Sequence, residues 1–449
     1  MAGQVRSKVP APPSHSGQNP HRLPRAIWTL GFVSLLMDVS SETVHALLPV
    51  FLVSTLGASA TYVGWLEGVS EALALMVRAA SGTWSDRLGH RKPLAVAGYS
   101  LSALTKPLFA LASTAGLVFG ARLLDRVGKG VRGAPRDALI ADLTHPSLRG
   151  AAYGLRQSLD TIGAFLGPLL AMVGMALSGD FRTVFWLASI PAVACVALLA
   201  GFVEEPARAP GAGAKMVRKG AAPARALDAA AHTSVIEAAV QPAAGPTQMP
   251  PPLGAAFTAV VAVATLFTLA RFSEAFLILR ATSLGASAAM APLVMIAMNL
   301  AYTASAYPAG RLSDRRGRHG LLAAGALLLI VADLVLAAAA SLGTALIGAA
   351  IWGLHMGLTQ GLLAAMVADA APAQRRGTAF GVYSAATGVA LIAASVIAGT
   401  LWENVGPAAT FYAGAALAGF ALVGFALLLL RARGAPARPP DTAPPDAKR

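Results

Sequence analysis

The stretch GTWSDRLGHRK (82–92) returns further along the chain as GRLSDRRGRHG (310–320), matching Gly82 to Gly310, Asp86 to Asp314 and Gly89 to Gly317. A second stretch, ADLTHPSLRGAAYG (141–154), returns as ADAAPAQRRGTAFG (368–381), matching Asp142 to Asp369 and Arg149 and Gly150 to Arg376 and Gly377 at nearly the same offset. Two independent anchors at one spacing point to a duplicated unit. Twelve apolar segments surround them: 27–53, 61–83, 93–112, 117–139, 150–177, 183–203, 254–281, 287–310, 320–339, 344–368, 378–401 and 408–431. Each has about the 20 residues that a helix needs to cross a bilayer. The predicted fold is therefore an all-α polytopic membrane protein of twelve transmembrane helices in two six-helix bundles, 27–203 and 254–431. Residues 204–253, rich in Ala, Pro and Gly, read as a flexible cytoplasmic linker between them. Residues 1–26 and 432–449 read as a cytoplasmic arm and a disordered tail. The first segment carries Asp38 and Glu42 and no small-residue cleavage site follows it, so it reads as a retained helix.

Composition supports this organisation. Of 449 residues, 56% are hydrophobic and only 12% charged, against roughly 25% charged in soluble proteins. A soluble protein this apolar would expose large sticky patches, which excludes a soluble enzyme. Cys195 is the single cysteine, which excludes a disulfide scaffold. The net charge of +14 would suggest nucleic acid in a soluble chain. Here most Lys and Arg fall in alternate loops, in clusters such as Arg87, Arg91 and Lys92 or Arg311, Arg315 and Arg316. The intervening loops hold only Arg182. That asymmetry predicts both termini in the cytoplasm of a bacterial inner membrane, with lipid rather than nucleic acid as the surrounding partner.

The loop string Gly82, Asp86, Arg87, Gly89, Arg91, Lys92 resembles the signature loop of the major facilitator superfamily (MFS), and Gly310, Asp314, Arg315 and Gly317 form a weaker second copy. Arg122, Asp125, Arg126, Gly128 and Gly130 resemble that superfamily's fourth-helix motif, and Gly163, Gly167 and Pro168 its fifth-helix antiporter signature. DVSSETVHALLPVFLVSTLGAS (38–59), DRVGKGVRGAPRDALIAD (125–142) and RFSEAFLILRATSLG (271–285) resemble a largely uncharacterised prokaryotic subgroup of facilitators that nickel-resistance exporters also resemble. The resemblance implies the MFS fold, a substrate site near the midplane between the halves, and first and fourth helices lining it. The loop also has a mechanical reading: Gly82 allows close helix approach, and Asp86 caps the N-terminus of a neighbouring helix or pairs with Arg132 or Arg136, contacts that would hold the cytoplasmic side closed; simple positive-inside anchoring is the competing reading.

Ionisable residues inside a membrane cost on the order of 2.5–3.5 kcal/mol each by insertion scales unless paired or hydrated. The acids are Asp38, Glu42, Glu67, Glu71, Asp125, Asp160, Glu274 and Asp333; the bases are Arg78, Lys106, Arg122, Arg126, Arg156, Arg271 and Arg280. At helical spacing they form polar stripes on the first, second and fourth helices, which must face protein or water. The expectation is an acidic first and second helix facing a basic fourth. A carboxylate that loses an arginine partner in a drier state takes up a proton, so Asp38, Glu42, Glu67, Glu71, Arg122, Asp125 and Arg126 are the proton-coupling candidates. The competing reading of each is a structural ion pair, and for Lys106, Arg280 and Asp333 it is the preferred one. His45, Arg156, Asp160, Arg271, Glu274, Asn299, His355, Gln360 and Tyr383 are candidate cavity contacts; Arg271 and Glu274 can pair at i, i+3, or Arg271 can meet an anionic substrate.

No phosphate-cradling loop, CxxC, HExxH or GxSxG is present, so no ATP use, cofactor, resident metal or catalysis is expected. The function expected is a secondary transporter of a small solute or ion: a monomer working by alternating access, coupled to protons and running as efflux. Divalent metal export of the nickel or cobalt type is the alternative within transport. A membrane sensor or scaffold that moves nothing is the alternative of another class.

Overall fold

A computed structural model describes residues 23–88, 90–145, 148–205, 253–316, 318–372 and 375–434. Most of the expected linker, both termini, Gly89 and Gly317 lie outside the described residues. The described residues form thirteen α-helices and no strand. In chain order these are α1 (Arg25–Val50), α2 (Ala60–Leu88), α3 (Lys92–Leu111), α4 (Ala115–Leu143), α5 (Arg149–Ser178) and α6 (Phe181–Phe202), then α7 (Ala255–Leu269), α8 (Ala275–Ser283), α9 (Leu293–Arg316), α10 (Arg318–Ala337), α11 (Leu342–Ala370), α12 (Arg376–Asn404) and α13 (Pro407–Gly434). A π-helical turn, Phe51–Thr55, extends α1. Eight of the described helices are long and apolar enough to cross a membrane; α2, α4, α7, α8 and α9 are not among them. On α2 and α4 it is the charge that lowers the hydropathy. On their outer faces the helices expose large apolar side chains such as Leu104, Leu177, Ile190, Phe202 and Phe420, as a lipid-facing surface requires.

The seventh apolar segment differs from its expectation. It is not one helix over 254–281 but two, α7 and α8, separated by residues 270–274. The amide of Arg271 bonds tightly back to the Thr268 carbonyl at 3.0 Å, and Ser273 accepts from the Ala275 amide at 3.2 Å. This local side-chain turn just ahead of Glu274, the N-cap residue, opens a new helix.

Helices α1–α6 pack mainly on one another, as do α7–α13; the two sets meet chiefly along α2 and α12, with smaller contacts of α1 with α8 and of α5 with α9. The α2–α12 seam is made by glycines. A Cβ on Gly64 would stand 2.1 Å from the Ser395 carbonyl oxygen, and one on Gly68 2.8 Å from the Ile392 Cα. Gly399 returns the fit, with the Ala60 carbonyl oxygen 2.5 Å from where its Cβ would be. Small residues four apart let backbones touch where no hydrophobic force drives helices together in lipid. At the end of the seam near the start of α2, Thr61 donates to the Glu403 carboxylate (Oγ1 to Oε2, 2.7 Å). From Ala72 and Gly388 toward the opposite end the sets part: a Cβ on Gly310 or Gly381 would meet nothing within 4 Å. One on Gly82 would meet only Ala134, at an ordinary 3.6 Å. Gly82 therefore does not serve the close approach expected of it in this state.

Two outcomes follow from this packing. Gly64→Ala drives a methyl into the α2–α12 seam at a cost of about 1–3 kcal/mol. It should raise several-fold the rate at which a membrane-impermeant maleimide labels Ala60→Cys, a buried position of the seam packed on Gly399. Asp180 caps α6 by accepting from the Thr183 amide (2.8 Å) and hydroxyl (2.7 Å), bonds that hold its carboxyl below the ordinary range. Asp180→Ala should cost about 1 kcal/mol in thermal stability. The cap's contribution is present at neutral pH and lost as acid titrates the carboxylate, so the melting difference between variant and parent should vanish at low pH.

Candidate functional site

The charges on α2 and α4 lock together in register. Glu67 meets Arg122 at 2.9 Å and Glu71 meets Arg126 at 3.0 Å. The carboxylates are one turn apart on α2 and the guanidiniums one turn apart on α4. Arg122 and Glu67 are each 1% exposed. Arg122 also donates to Nδ1 of His45 at 2.6 Å, while His45 Nε2 is buried with no partner among the described residues. On α3, Lys106 holds Asp125 at 2.9 Å and donates to Ser41 at 3.2 Å; at 1% exposure it is sealed in the core and does not reach an interface. Further along α4, Asp137 gathers Arg136 and Arg78, each at 3.0 Å, with Arg156 at 3.9 Å; Arg156 also grips Asp160 at 2.7 Å. Arg132 stacks over the Tyr99 ring, 4.9 Å from its centroid, and donates to Ser102.

The expectation of an acidic second helix facing a basic fourth is matched by these pairs. The first helix forms no ion pair with the fourth among the described residues, although Asp38 lies within electrostatic reach of Arg132 and Lys129. Asp38 and Glu42 are half-buried and have no hydrogen-bond or ion-pair partner among the described residues. Their placement comes from α5: a Cβ on Gly163 would lie 2.9 Å from the Cβ of Asp38, and one on Gly167 2.5 Å from that of Glu42. The fifth-helix glycines thus press α5 onto α1 at the two carboxylates. Asp38 lies within electrostatic reach of Asp160, and Glu42 of Glu274 from the other set of helices.

Arg271 and Glu274 do not form the ion pair their spacing suggested. The break between α7 and α8 removes the i, i+3 geometry, and neither has an ion-pair partner among the described residues. Arg271 remains within electrostatic reach of Glu274 first, and of Tyr383 and Tyr302 after it. Asn299 spans the two sets, donating to the Ala164 carbonyl at 3.1 Å. His355 is fully buried between Phe267 and Trp352, while Gln360, one helical turn and a residue further on, is half-buried. Arg280 closes the end of α10, donating to the carbonyls of Leu336, Ala337 and Ala339 at 2.8–3.1 Å, the structural role preferred for it. Asp333 is not in an ion pair: it is 0% exposed and neither carboxylate oxygen has a partner, with Gly414 and Phe272 beside it.

In the loop motif the side chains of Asp86, Arg87, Asp314 and Arg315 lie outside the described residues. Of the partners expected for Asp86, Arg132 lies over Tyr99 and Arg136 pairs with Asp137; the Asp86 contact itself falls outside the described side chains. Arg91 pairs with Asp142 at 3.0 Å, and the Glu205 carboxylate caps α3 through the Arg91 and Lys92 amides. The structure adds two residues that the sequence did not single out: Lys129, unpaired and exposed on the polar face of α4, and Glu403 at the seam. Lys129 sits in the stripe already visible on α4. Nothing in the sequence marks Glu403, whose partner is 342 residues away.

This arrangement has clear relatives. The family model described as Major Facilitator Superfamily matches residues 30–277 and 253–448. An uncharacterised MFS-type transporter of Methanocaldococcus jannaschii is 28% identical over 90% of this chain and 94% of its own length. The multidrug resistance protein MdtH of Photorhabdus laumondii is 32% identical over 34% of this chain and 38% of its own. Among solved structures, a bacterial homologue of the human lysosomal transporter Spinster, described as inward-facing and unoccupied, superposes with a TM-score of 0.64 at 16% identity, covering 91% of this chain and 96% of that one. With the family match running through both sets of helices, the chain is a multi-pass membrane protein and belongs to the Major Facilitator Superfamily of membrane transporters.

Proposed function

We propose that this chain is a proton-coupled exporter of a small solute that crosses a bacterial inner membrane twelve times and works by alternating access. Its units are the bundles 27–203 and 254–431, joined by the linker 204–253, with both termini cytoplasmic. The broken α7–α8 counts as one crossing. The seam held by Gly64, Gly68, Gly399 and the Thr61–Glu403 bond closes the outer side, and the end rich in Arg and Lys, toward which the bundles part, faces the cytoplasm. Export then requires that seam to open while the cytoplasmic end closes.

One observation carries the coupling. The acids of α2 and α4 are consumed in ion pairs, whereas Asp38, Glu42 and Glu274 stand half-exposed without partners where the bundles meet. Carboxylates of that kind can exchange a proton for cargo as their surroundings dry and rewet. Glu67, Arg122, Asp125 and Lys106, sealed from the chamber, hold the bundle together. The divalent-metal alternative finds no group of three or more His, Cys, Asp or Glu side chains able to hold an ion among the described residues.

The test is purified protein in vesicles under an imposed pH gradient, screened with metals and small metabolites. Asp38→Asn or Glu42→Gln should reduce proton-linked flux by about tenfold or more, the worth of ~1.4 kcal/mol; unchanged flux would favour the sensor reading. Arg122→Gln should behave differently. Stranding Glu67 in the core costs about 3–5 kcal/mol, and replacing both partners recovers much of it. Thermal stability should therefore fall in Arg122→Gln and return in the Glu67→Gln, Arg122→Gln double variant.

A further inference from the structure

The site between the bundles makes no use of Asp333. This residue of α10 is 0% exposed, and neither carboxyl oxygen has a hydrogen-bond partner among the described residues. A Cβ on Gly414 would stand 2.6 Å from its Oδ2 and 2.9 Å from Cε1 of Phe272, so the carboxyl and the ring edge close on one point of α13. The charged and titratable groups on the elements around it are Arg271 and Glu274 on either side of Phe272, Arg280 on α8, His355 on α11 and Tyr412 on α13; α10 itself carries no other charge between residues 321 and 337. None of them bonds to Asp333. Arg280 is spent on the carbonyls of Leu336, Ala337 and Ala339, and His355 is shut between Phe267 and Trp352. A carboxylate here would be a bare charge among rings, which burial in an apolar medium opposes. The group therefore keeps its proton in this state.

The ring that covers it is connected to the seam. Phe272 contacts Trp352, Phe411 and Phe276, with ring centroids 5.2, 5.5 and 5.7 Å away. Phe276 and Phe411 in turn contact Trp402 of α12, at 5.8 and 6.4 Å. Trp402 precedes Glu403, which holds Thr61 across the seam. An unbroken run of packed rings thus leads from the closed seam to Asp333. Phe272 itself lies in the break at 270–274, outside the flanking helices.

We propose that Asp333 is a proton-binding site linked to the outer seam: it holds its proton while the seam is closed and Phe272 lies against it, and exchanges that proton when the seam opens and Trp402 draws the rings behind it away. The inference rests on the transporter reading for the opening of the seam, and adds a proton site apart from Asp38, Glu42 and Glu274. The sign of the linkage is fixed. A proton bound more tightly in the closed state supports closure at low pH, and that support is lost as pH rises, so alkali favours opening.

Two measurements on the full chain in lipid vesicles test this. The first is the infrared carbonyl band of neutral carboxylic acids, recorded in alkaline buffer where water-facing carboxyls are ionised. The parent should keep a band that Asp333→Asn lacks, and Phe272→Ala, which uncovers the acid, should lose that band at a lower pH than the parent. Asparagine matches the protonated acid in shape and neutrality, so Asp333→Asn should melt with the parent. The second is maleimide labelling of Ala60→Cys with and without Asp333→Asn, so that ionisation of the thiol cancels in the ratio of rates. The rate with Asp333 present should rise with pH relative to the rate in Asp333→Asn, by at most about tenfold per pH unit, the limit for one proton. The proposal is overturned if the parent and Asp333→Asn give the same infrared spectrum, or if the labelling ratio does not change with pH. Absence of gradient-driven flux, with the band and the labelling difference intact, removes the transporter reading and leaves the proton site standing.

Discussion

A charge placed in hydrocarbon must find a partner, and this protein is organised by that requirement. Two acids one turn apart on α2 meet two arginines one turn apart on α4, and a lysine of α3 takes the aspartate between them. The Glu67–Arg122 and Asp125–Lys106 pairs are sealed, and Glu71–Arg126 keeps its carboxylate partly open, in a medium where an unpaired charge is costly. The pairs set the register of α2, α3 and α4. Once that register is set, α1 is left with Asp38 and Glu42 facing inward with nothing to hold. The functional candidates are thus defined by subtraction: they are the charges that the structural pairs do not consume.

The second requirement is that two bundles meet firmly at one end and separate at the other. Apolar side chains cannot supply the adhesion, since lipid is as apolar as they are. Backbone approach supplies it instead, at Gly64, Gly68 and Gly399, supported by the Glu403 carboxylate, which accepts from the hydroxyl and the amide of Thr61 at the start of α2. The same device recurs inside the first bundle, where Gly163 and Gly167 bring α5 against α1 beneath the two free carboxylates. Glycine contacts can part at modest cost because they bury no charge, whereas the α2–α4 ion pairs cannot. The rigid and the mobile interfaces of the molecule are built from different chemistry for that reason.

Much of this was legible in the chain. The duplicated loop strings and the basic asymmetry point to two six-helix halves, and helical spacing places the charges of α2 and α4 on facing stripes. The break at 270–274 was legible in principle, from Ser273 ahead of an apolar run, but an unbroken hydrophobic stretch hides it when only hydropathy is followed. The pairing of Arg271 with Glu274 failed as an expectation because it assumed that the helix continued. Lys129 was visible in the α4 stripe and undistinguished there, since six polar side chains on one face look alike until their partners are known.

The sequence by itself determined that the chain is helical, membrane-embedded and duplicated, because hydropathy and loop charge act locally, residue by residue, against a slab-like solvent. It also determined which residues bear charge within the slab. Only the tertiary structure decided which of those charges are spent. Arg122 and Asp38 are alike in the sequence, each a charge midway along a greasy segment. One is sealed against Glu67 and the other stands free, because ion pairing depends on angstrom distances between helices that the chain brings together from far apart.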